Sequence, residues 1–199
     1  VTTPTQDMIL GSYYLTMDVD GELGEGTYFS SPEEAITALE NHDITMHSKI
    51  FVRRSKVVDG VEKHAKVATT VGKIIFNSGI PQDLGFVDRS KPENEFEYEI
   101  NTTVSKKNLG KIIEKCINVN GLSRTAVLLD YIKSTGYKYS TLGAVTVSVA
   151  DVQVPPEKKT ILEKAEADVT EVQKQYRRGL ITDDERYSEA IKIWEKATD

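Results

Sequence analysis

The sequence predicts an α+β fold: an irregular mixed α/β body of short helices and strands, followed by a projecting antiparallel helical hairpin, a short coiled coil. Helix-start signatures and β-branched alternating runs are interspersed along residues 1–155 rather than segregated into one class. Gly and Pro punctuate that stretch, which keeps each predicted element short. Residues 156–199 then change to two helical patterns around one charged turn. The organisation read from this is a body over 1–155 and a hairpin over 156–199.

The elements of the body follow in order. Ser12-Tyr13-Tyr14-Leu15-Thr16-Met17 has the composition of a strand, although Met8 to Leu15 equally begins as a helix. Asp18 to Gly26, with three glycines and several acids, reads as a loop. Ser31 caps a helix with Pro32 in its first position, Glu34 completing a capping box and Ala35, Ile36 and Leu39 on one face, ending near Asn41. From Ile44 to Arg53, Ile44, Met46, Ile50 and Val52 alternate with Thr45, His47, Lys49 and Arg53, the period of a half-buried strand. Val57-Val58-Asp59-Gly60-Val61 reads as a hairpin turn. Val71 to Asn77 predicts a short buried helix before Gly79-Ile80-Pro81, and Pro81 to Glu99 an irregular connection. Ser105 caps a helix through Leu109, Ile112, Ile113, Cys116 and Ile117 that stops near Gly121. Ser123 caps another, with Ala126, Val127, Leu128 and Tyr131 along it and Gly136 after its end. The β-branched run Ala144-Val145-Thr146-Val147-Ser148-Val149 predicts a strand.

The hairpin opens with Pro155 and Pro156, whose missing N–H groups suit a helix start. Ile161, Ala165, Val169, Val172 and Tyr176 recur at steps of four and three, making one apolar seam. Arg177 and Arg178 suit the carbonyl end of the helix dipole. Gly179 supplies the left-handed stop, and Leu180 can fold back onto the last turn. Thr182 with Glu185 is a capping box for a second helix carrying Tyr187, Ala190, Ile191, Trp194 and Ala197. A helix from Pro156 to Arg177 reaches roughly 33 Å, so its turn is expected to stand clear of the body, either as a docking surface or as a packing arm against another subunit.

Composition bounds the function. The 199 residues are 39% hydrophobic and 28% charged, with a mean hydropathy of −0.37. No apolar run approaches the roughly 20 residues of a membrane span, and no signal peptide is seen at the start. A cytoplasmic setting without membrane contact is expected. The single cysteine, Cys116, excludes an internal disulfide and reads as a buried thiol beside Ile112, Ile113 and Ile117. The net charge of −6 argues against autonomous nucleic-acid binding. From Pro156 onward 9 Lys+Arg stand against 11 Asp+Glu, so neither part is a basic module. The chain begins at Val1 rather than Met, inside what reads as a structured segment, and is expected to be an excised piece.

No self-contained catalytic set assembles. His42, His47 and His64 lack metal-ligand spacing, Cys116 stands alone, and no serine sits in a Gly-x-Ser-x-Gly elbow. Gly21, Gly24 and Gly26 invite a phosphate-loop reading that Glu22 and Glu25 disfavour. Thr69-Thr70-Val71-Gly72-Lys73 fails the Walker A pattern, because Val67 stands where a glycine is needed. Asp183, Asp184 and Glu185 cluster at a helix N-terminus, where the dipole alone favours acids; a metal or partner contact is the alternative reading. No catalytic, cofactor or metal residue is predicted in the chain.

Six blocks together resemble the β′ subunit of bacterial DNA-dependent RNA polymerase. They are Pro4-Thr5-Gln6-Asp7-Met8-Ile9-Leu10-Gly11-Ser12-Tyr13-Tyr14-Leu15-Thr16; Gly24-Glu25-Gly26 with Phe29 to Ala35; Thr69 to Asn77; Thr125 to Asp130; Gly136 to Thr141; and the hairpin from Pro156 through Tyr187. They stand in the family's order and cover nearly the whole chain apart from 54–66 and 81–100. The resemblance implies a fragment that runs from the edge of the active-site region into the funnel around the secondary channel. The family's Asn-Ala-Asp-Phe-Asp-Gly-Asp loop, whose aspartates hold the catalytic magnesium, lies upstream of the first block and is not in this sequence. The bridge helix and trigger loop lie downstream. The fragment is therefore expected to be inactive alone and to serve a nucleotidyltransferase only within the whole polymerase.

The partners implied are the other polymerase subunits (β, α and ω), the rest of β′, and Gre-type transcript-cleavage factors with related channel regulators. DNA and RNA are expected only through the intact enzyme. The docking positions carried over are Arg177, Arg178, Gly179, Leu180, Ile181, Thr182, Asp183, Asp184, Glu185, Arg186 and Tyr187. Some family members bind a guanosine alarmone near the helix matching Thr125–Lys133. Only Asp130 matches, so that ligand is not carried over. The alternative function is a free-standing adaptor that binds a partner through its hairpin without catalysis.

Overall fold

Helix α1 (Asp7–Thr16) occupies the stretch whose composition is strand-like. It opens a computed structural model that describes residues 3–58 and 61–199. The hydroxyls of Ser12 and Thr16 donate to the carbonyls of Met8 and Ser12, each at 2.8 Å, so these residues are satisfied inside a helix. The long helix α4 (Lys106–Gly143) packs against α1 at glycine distance: a Cβ at Gly11 would stand 1.8 Å from the Gly136 carbonyl oxygen. Such packing overrides the strand preference of Tyr13, Tyr14 and Thr16.

Two units divide the chain, Val1–Val145 and Thr146–Asp199. In the first, a three-stranded sheet has the order β1 (Tyr28–Phe29), β2 (Ile50–Val58), β3 (Val61–Thr69). β1 runs parallel to β2, and β2 and β3 pair antiparallel from Ile50↔Thr69 outward. The predicted turn at Asp59-Gly60 lies outside the described residues. The strand expected from Ile44 begins only at Ile50. Residues 44–49 form a loop tied by side chains: Ser48 Oγ donates to Leu23 O at 2.7 Å, and His47 Nε2 lies 2.7 Å from Tyr14 O. These side-chain bonds, with isolated backbone bonds such as Gly26 N to Lys49 O and Gly72 N to Met46 O, take the place of a ladder there.

Helices α2 (Pro32–Glu40) and α3 (Val71–Ser78) start as predicted, with the hydroxyls of Ser31 and Thr70 accepting from the N–H groups of Glu34 and Lys73 at 3.2 Å each. The Glu34 carboxylate accepts from Ser30 N rather than from the cap residue, so the expected box is half formed. Ala35 and Ala38 are the residues α2 buries; Ile36 and Leu39 are partly covered.

Ser105 caps α4 by accepting from Asn108 N at 3.3 Å. The expected break at Gly121 is present, with φ 77° and ψ 179°. That glycine, not Ser123, sets where the second helical stretch resumes. The stop expected at Gly136 is overturned. The helix continues to Gly143, and Gly136 serves contact instead, since a Cβ there would meet Met8 Cα at 2.6 Å. Leu128, Ile132 and Tyr139 face the core, whereas Val127 is exposed.

Pro81 to Glu99 has one short 3₁₀ turn, Pro92–Asn94, and is held by polar groups. Asn77 Nδ2 donates to Ile100 O at 2.6 Å and its Oδ1 accepts from Ile100 N at 3.1 Å. The buried Glu99 carboxylate accepts from Phe86 N and from Arg89. A non-periodic segment therefore still inserts Leu84, Phe96 and Tyr98 into the core. One hydrophobic cluster centres on Leu15, Phe76, Leu109, Ile112 and Ile132, with Cys116 fully buried as predicted. The other centres on Ile50, Val52, Val67 and Val71.

The strand predicted over Ala144–Val149 does not form. Ala144 turns left-handed (φ 46°), Val149–Asp151 is a 3₁₀ turn capped by Ser148, and Val149 is 91% exposed. β-branched composition makes a strand only where a partner strand completes the ladder, and the described residues supply none. The second unit goes on to α5 (Lys158–Arg177) and α6 (Asp183–Thr198), which pack on each other as the predicted helical hairpin. With the small sheet and six α-helices among the described residues, the α+β class holds.

Candidate functional site

The turn between α5 and α6 is built from two complete local motifs. Leu180 N donates to Gln175 O at 3.0 Å and Gly179 N to Tyr176 O at 2.9 Å, with Gly179 at φ 71°. This pair of bonds is a Schellman stop, and the left-handed residue it needs is the glycine. The side chain of Leu180 does not fold back: it is 68% exposed. Thr182 then starts α6. Its hydroxyl accepts from Glu185 N at 3.3 Å, while a Glu185 carboxylate oxygen accepts from Thr182 N at 2.8 Å and from its hydroxyl at 3.0 Å. The reciprocal box is complete. The backbone N–H of Thr182, and then its hydroxyl, hold the Glu185 carboxyl below the usual carboxylate range.

Charge at this turn divides into used and unused. Arg186 donates to Asp183 Oδ1 at 2.8 Å, and its guanidinium lies 5.4 Å from the Tyr176 ring centroid. Glu185 is committed to the cap. Arg177, Arg178 and Asp184 make no ion pair and no side-chain hydrogen bond among the described residues, and all three are exposed. Ile181 is half-buried and Tyr187 exposed. The eleven predicted docking residues thus comprise the last residue of α5, the connection pinned at both ends, and the first residues of α6 through Tyr187.

The seam between the two helices differs from the expected one. Of the five α5 residues expected at the seam, Ala165 is buried and Val169 and Val172 are half-buried, whereas Ile161 and Tyr176 at its two ends are exposed. On α6, Ala190, Ile193 and Ala197 are the partly covered apolar residues, while Tyr187, Ile191 and Trp194 are exposed. Two apolar stripes run side by side on α6, and only one can face α5. The small residues Ala165, Ala190 and Ala197 mark the seam, because close-packed helices favour short side chains at the contact.

The other motifs are structural. Glu25 accepts from Gly21 N at 2.7 Å, so an internal carboxylate takes the amide that a phosphate would need. Lys73 Nζ donates to Asp18 Oδ1 at 2.6 Å, with the lysine side chain only 5% accessible. Gly72 exists for contact, since a Cβ there would lie 1.8 Å from Leu15 O. Among the described residues no group of three or more His, Cys, Asp and Glu is placed to hold a metal ion, and no helix is long and apolar enough to cross a membrane.

Fold and turn together define an α+β module that presents a charged, doubly capped helical turn. Its sequence matches the family model of RNA polymerase Rpb1, domain 3, over residues 1–152, and the chain belongs to that family. Across all 199 residues it is 52% identical to the DNA-directed RNA polymerase subunit beta' of Thermoanaerobacter sp. (strain X514) and 53% identical to that of Clostridium novyi (strain NT). The corresponding subunit of Acetivibrio thermocellus is 51% identical over the same length. The chain spans 17% of the length of each of these relatives. The α5–α6 turn lies beyond the family model but within the stretch shared with the relatives.

Proposed function

We propose that this chain serves DNA-templated RNA synthesis as part of the β′ subunit of a bacterial RNA polymerase in the cytoplasm. In this reading it lines the secondary channel, with the other polymerase subunits and the rest of β′ as its neighbours. The α5–α6 turn is the landing site for Gre-type cleavage factors and related channel regulators. Relatives of this name match the chain from end to end at about half identity, which supports the first part. The magnesium that the family uses finds no fitting ligand group among the described residues, so no catalytic step is assigned to this chain.

The docking role rests on one observation: a turn fixed by a Schellman stop and a capping box leaves Arg177, Arg178 and Asp184 unpaired at its surface. Charges of both signs on a rigid loop favour oriented, salt-sensitive docking with little ordering cost. Asp184 is the cleaner probe, because changing Asp183 also removes the Arg186 pair. In the intact polymerase, Asp184→Lys and Arg178→Glu should each weaken a Gre-type factor about tenfold, or about 1.4 kcal/mol. Factor-independent elongation, measured in parallel, should change far less. Unchanged factor affinity in both variants would remove the docking assignment.

A further inference from the structure

The β2–β3 hairpin carries a charge pattern that its own fold uses only in part: Arg54 donates to Phe96 O and lies 3.8 Å from the Tyr98 ring centroid, while the other cations make no such hydrogen bond among the described residues. Residues 53–66 hold Arg53, Arg54, Lys56, Lys63 and Lys66 against Asp59 and Glu62, a local balance of +3 within a chain of −6. The register sets Arg53 directly opposite Lys66 and Lys56 directly opposite Lys63. Like charges facing each other across a ladder destabilise it. Acids were at hand to relieve the repulsion, since Asp+Glu outnumber Lys+Arg by 31 to 25. Yet Arg53, Lys56, Lys63 and Lys66 are exposed and make no ion pair among the described residues. Lys66 Nζ lies 3.7 Å from the Phe51 ring centroid, a contact that orients the ammonium without neutralising it.

The two cation pairs lie on opposite faces of the ribbon. Side chains alternate along a strand, and Arg53 and Lys56 are an odd step apart. The Arg53/Lys66 face continues through Ser55 opposite His64. The Lys56/Lys63 face prolongs the row that begins with the buried Ile50, Val52 and Val67. Beyond that buried base the ribbon is net cationic on both sides, Glu62 opposite Val57 being the one acid on the Arg53/Lys66 face among the described residues.

We propose that this hairpin docks the phosphate backbone of nucleic acid, the ribbon lying between the two phosphate walls of a duplex groove. A flat anionic surface would satisfy one face only, whereas a groove offers charge to both. A major groove about 12 Å wide admits a two-stranded ribbon. Contacts through Lys and Arg to phosphate carry no base preference and release counterions, so binding is local and steeply salt-dependent. The chain's −6 hides this arm, because a net charge averages over surfaces that a ligand never touches. The inference stands on the hairpin alone and is independent of the role proposed for the α5–α6 turn.

The test uses the whole 199-residue chain and a short fluorescent DNA duplex, read by anisotropy between roughly 50 and 200 mM salt. Binding should weaken with salt along a log–log slope near −3.6, about −0.9 for each of four contacts. Lys56→Gln with Lys63→Gln, and separately Arg53→Gln with Lys66→Gln, should each weaken binding about tenfold and flatten the slope by about 1.8. Lys192→Gln, on α6, should leave binding unchanged. Lys63→Glu separates a ligand role from a structural one: it makes the Lys56 pair attractive, so the thermal midpoint should rise while affinity falls about tenfold. A fall in both, or no salt-dependent binding by the unaltered chain, overturns the proposal. So does unchanged binding in both double variants. Polyglutamate binding as tightly as the duplex overturns it in favour of an acidic protein partner.

Discussion

Val1–Val145 buries two hydrophobic clusters, one around Leu15 and Ile132 and one around Val52 and Val71, whereas in Thr146–Asp199 Ala165 is the one buried residue among those described. The first unit is held by packing between distant parts of the chain. The second relies on local devices: a Schellman stop, a capping box, and i,i+3 ion pairs such as Lys174–Glu171 and Lys192–Glu189. Exposed pairs of that kind contribute little each, so the caps and a thin seam carry the hairpin. It keeps Tyr187, Ile191 and Trp194 exposed on α6, an apolar stripe of the sort that marks contact surfaces in larger assemblies. A core specifies one shape by excluding alternatives. Caps specify only where helices begin and end, and leave the sides free for others.

The single tryptophan, Trp194, lies in α6 and reports the second unit, while circular dichroism in urea also follows the first. Gly136→Ala should strike hardest, costing Val1–Val145 about 3 kcal/mol by overpacking against Met8. Trp194 emission should not move in that variant; a matching shift would mean that the units do not stand apart energetically. Asp18→Asn removes the carboxylate from the nearly inaccessible Lys73 ammonium. The expected loss is about 2 kcal/mol, below that of a fully buried pair because Asp18 is partly exposed. A loss under half that size would show that Lys73 finds another partner.

Thr182→Ala should cost the hairpin about 1 kcal/mol, seen in Trp194 melting and not in the first unit. The smallest effect is in pH. Glu185 has a depressed carboxyl pKa, so its contribution is complete above the unfolded value of about 4.3 and is lost as pH falls through the lower folded value. Trp194-monitored stability should therefore drop on acidification below about pH 4, and Glu185→Gln should flatten that response. An unaltered profile in Glu185→Gln would assign the acid sensitivity to other carboxylates.

The sequence by itself determined the capped helix starts at Ser31, Ser105 and Thr182, the start of α3 at Val71, the break at Gly121 and the stop at Gly179. Each rests on bonds that close within a few residues, so the neighbours in the chain are the whole environment. It also determined the turn between α5 and α6, because caps are written locally. Tertiary structure decided whatever depended on a remote partner. Ser12–Thr16, which the sequence left open between strand and helix, became helical with α4 lying against it, and Gly136 became a contact point instead of a stop because Met8 is there. Val147 and Val149 stayed exposed for want of a second strand, and Ile193 rather than Ile191 turned towards α5. Periodicity says that a face is apolar, but only the element packed against it says which face is buried.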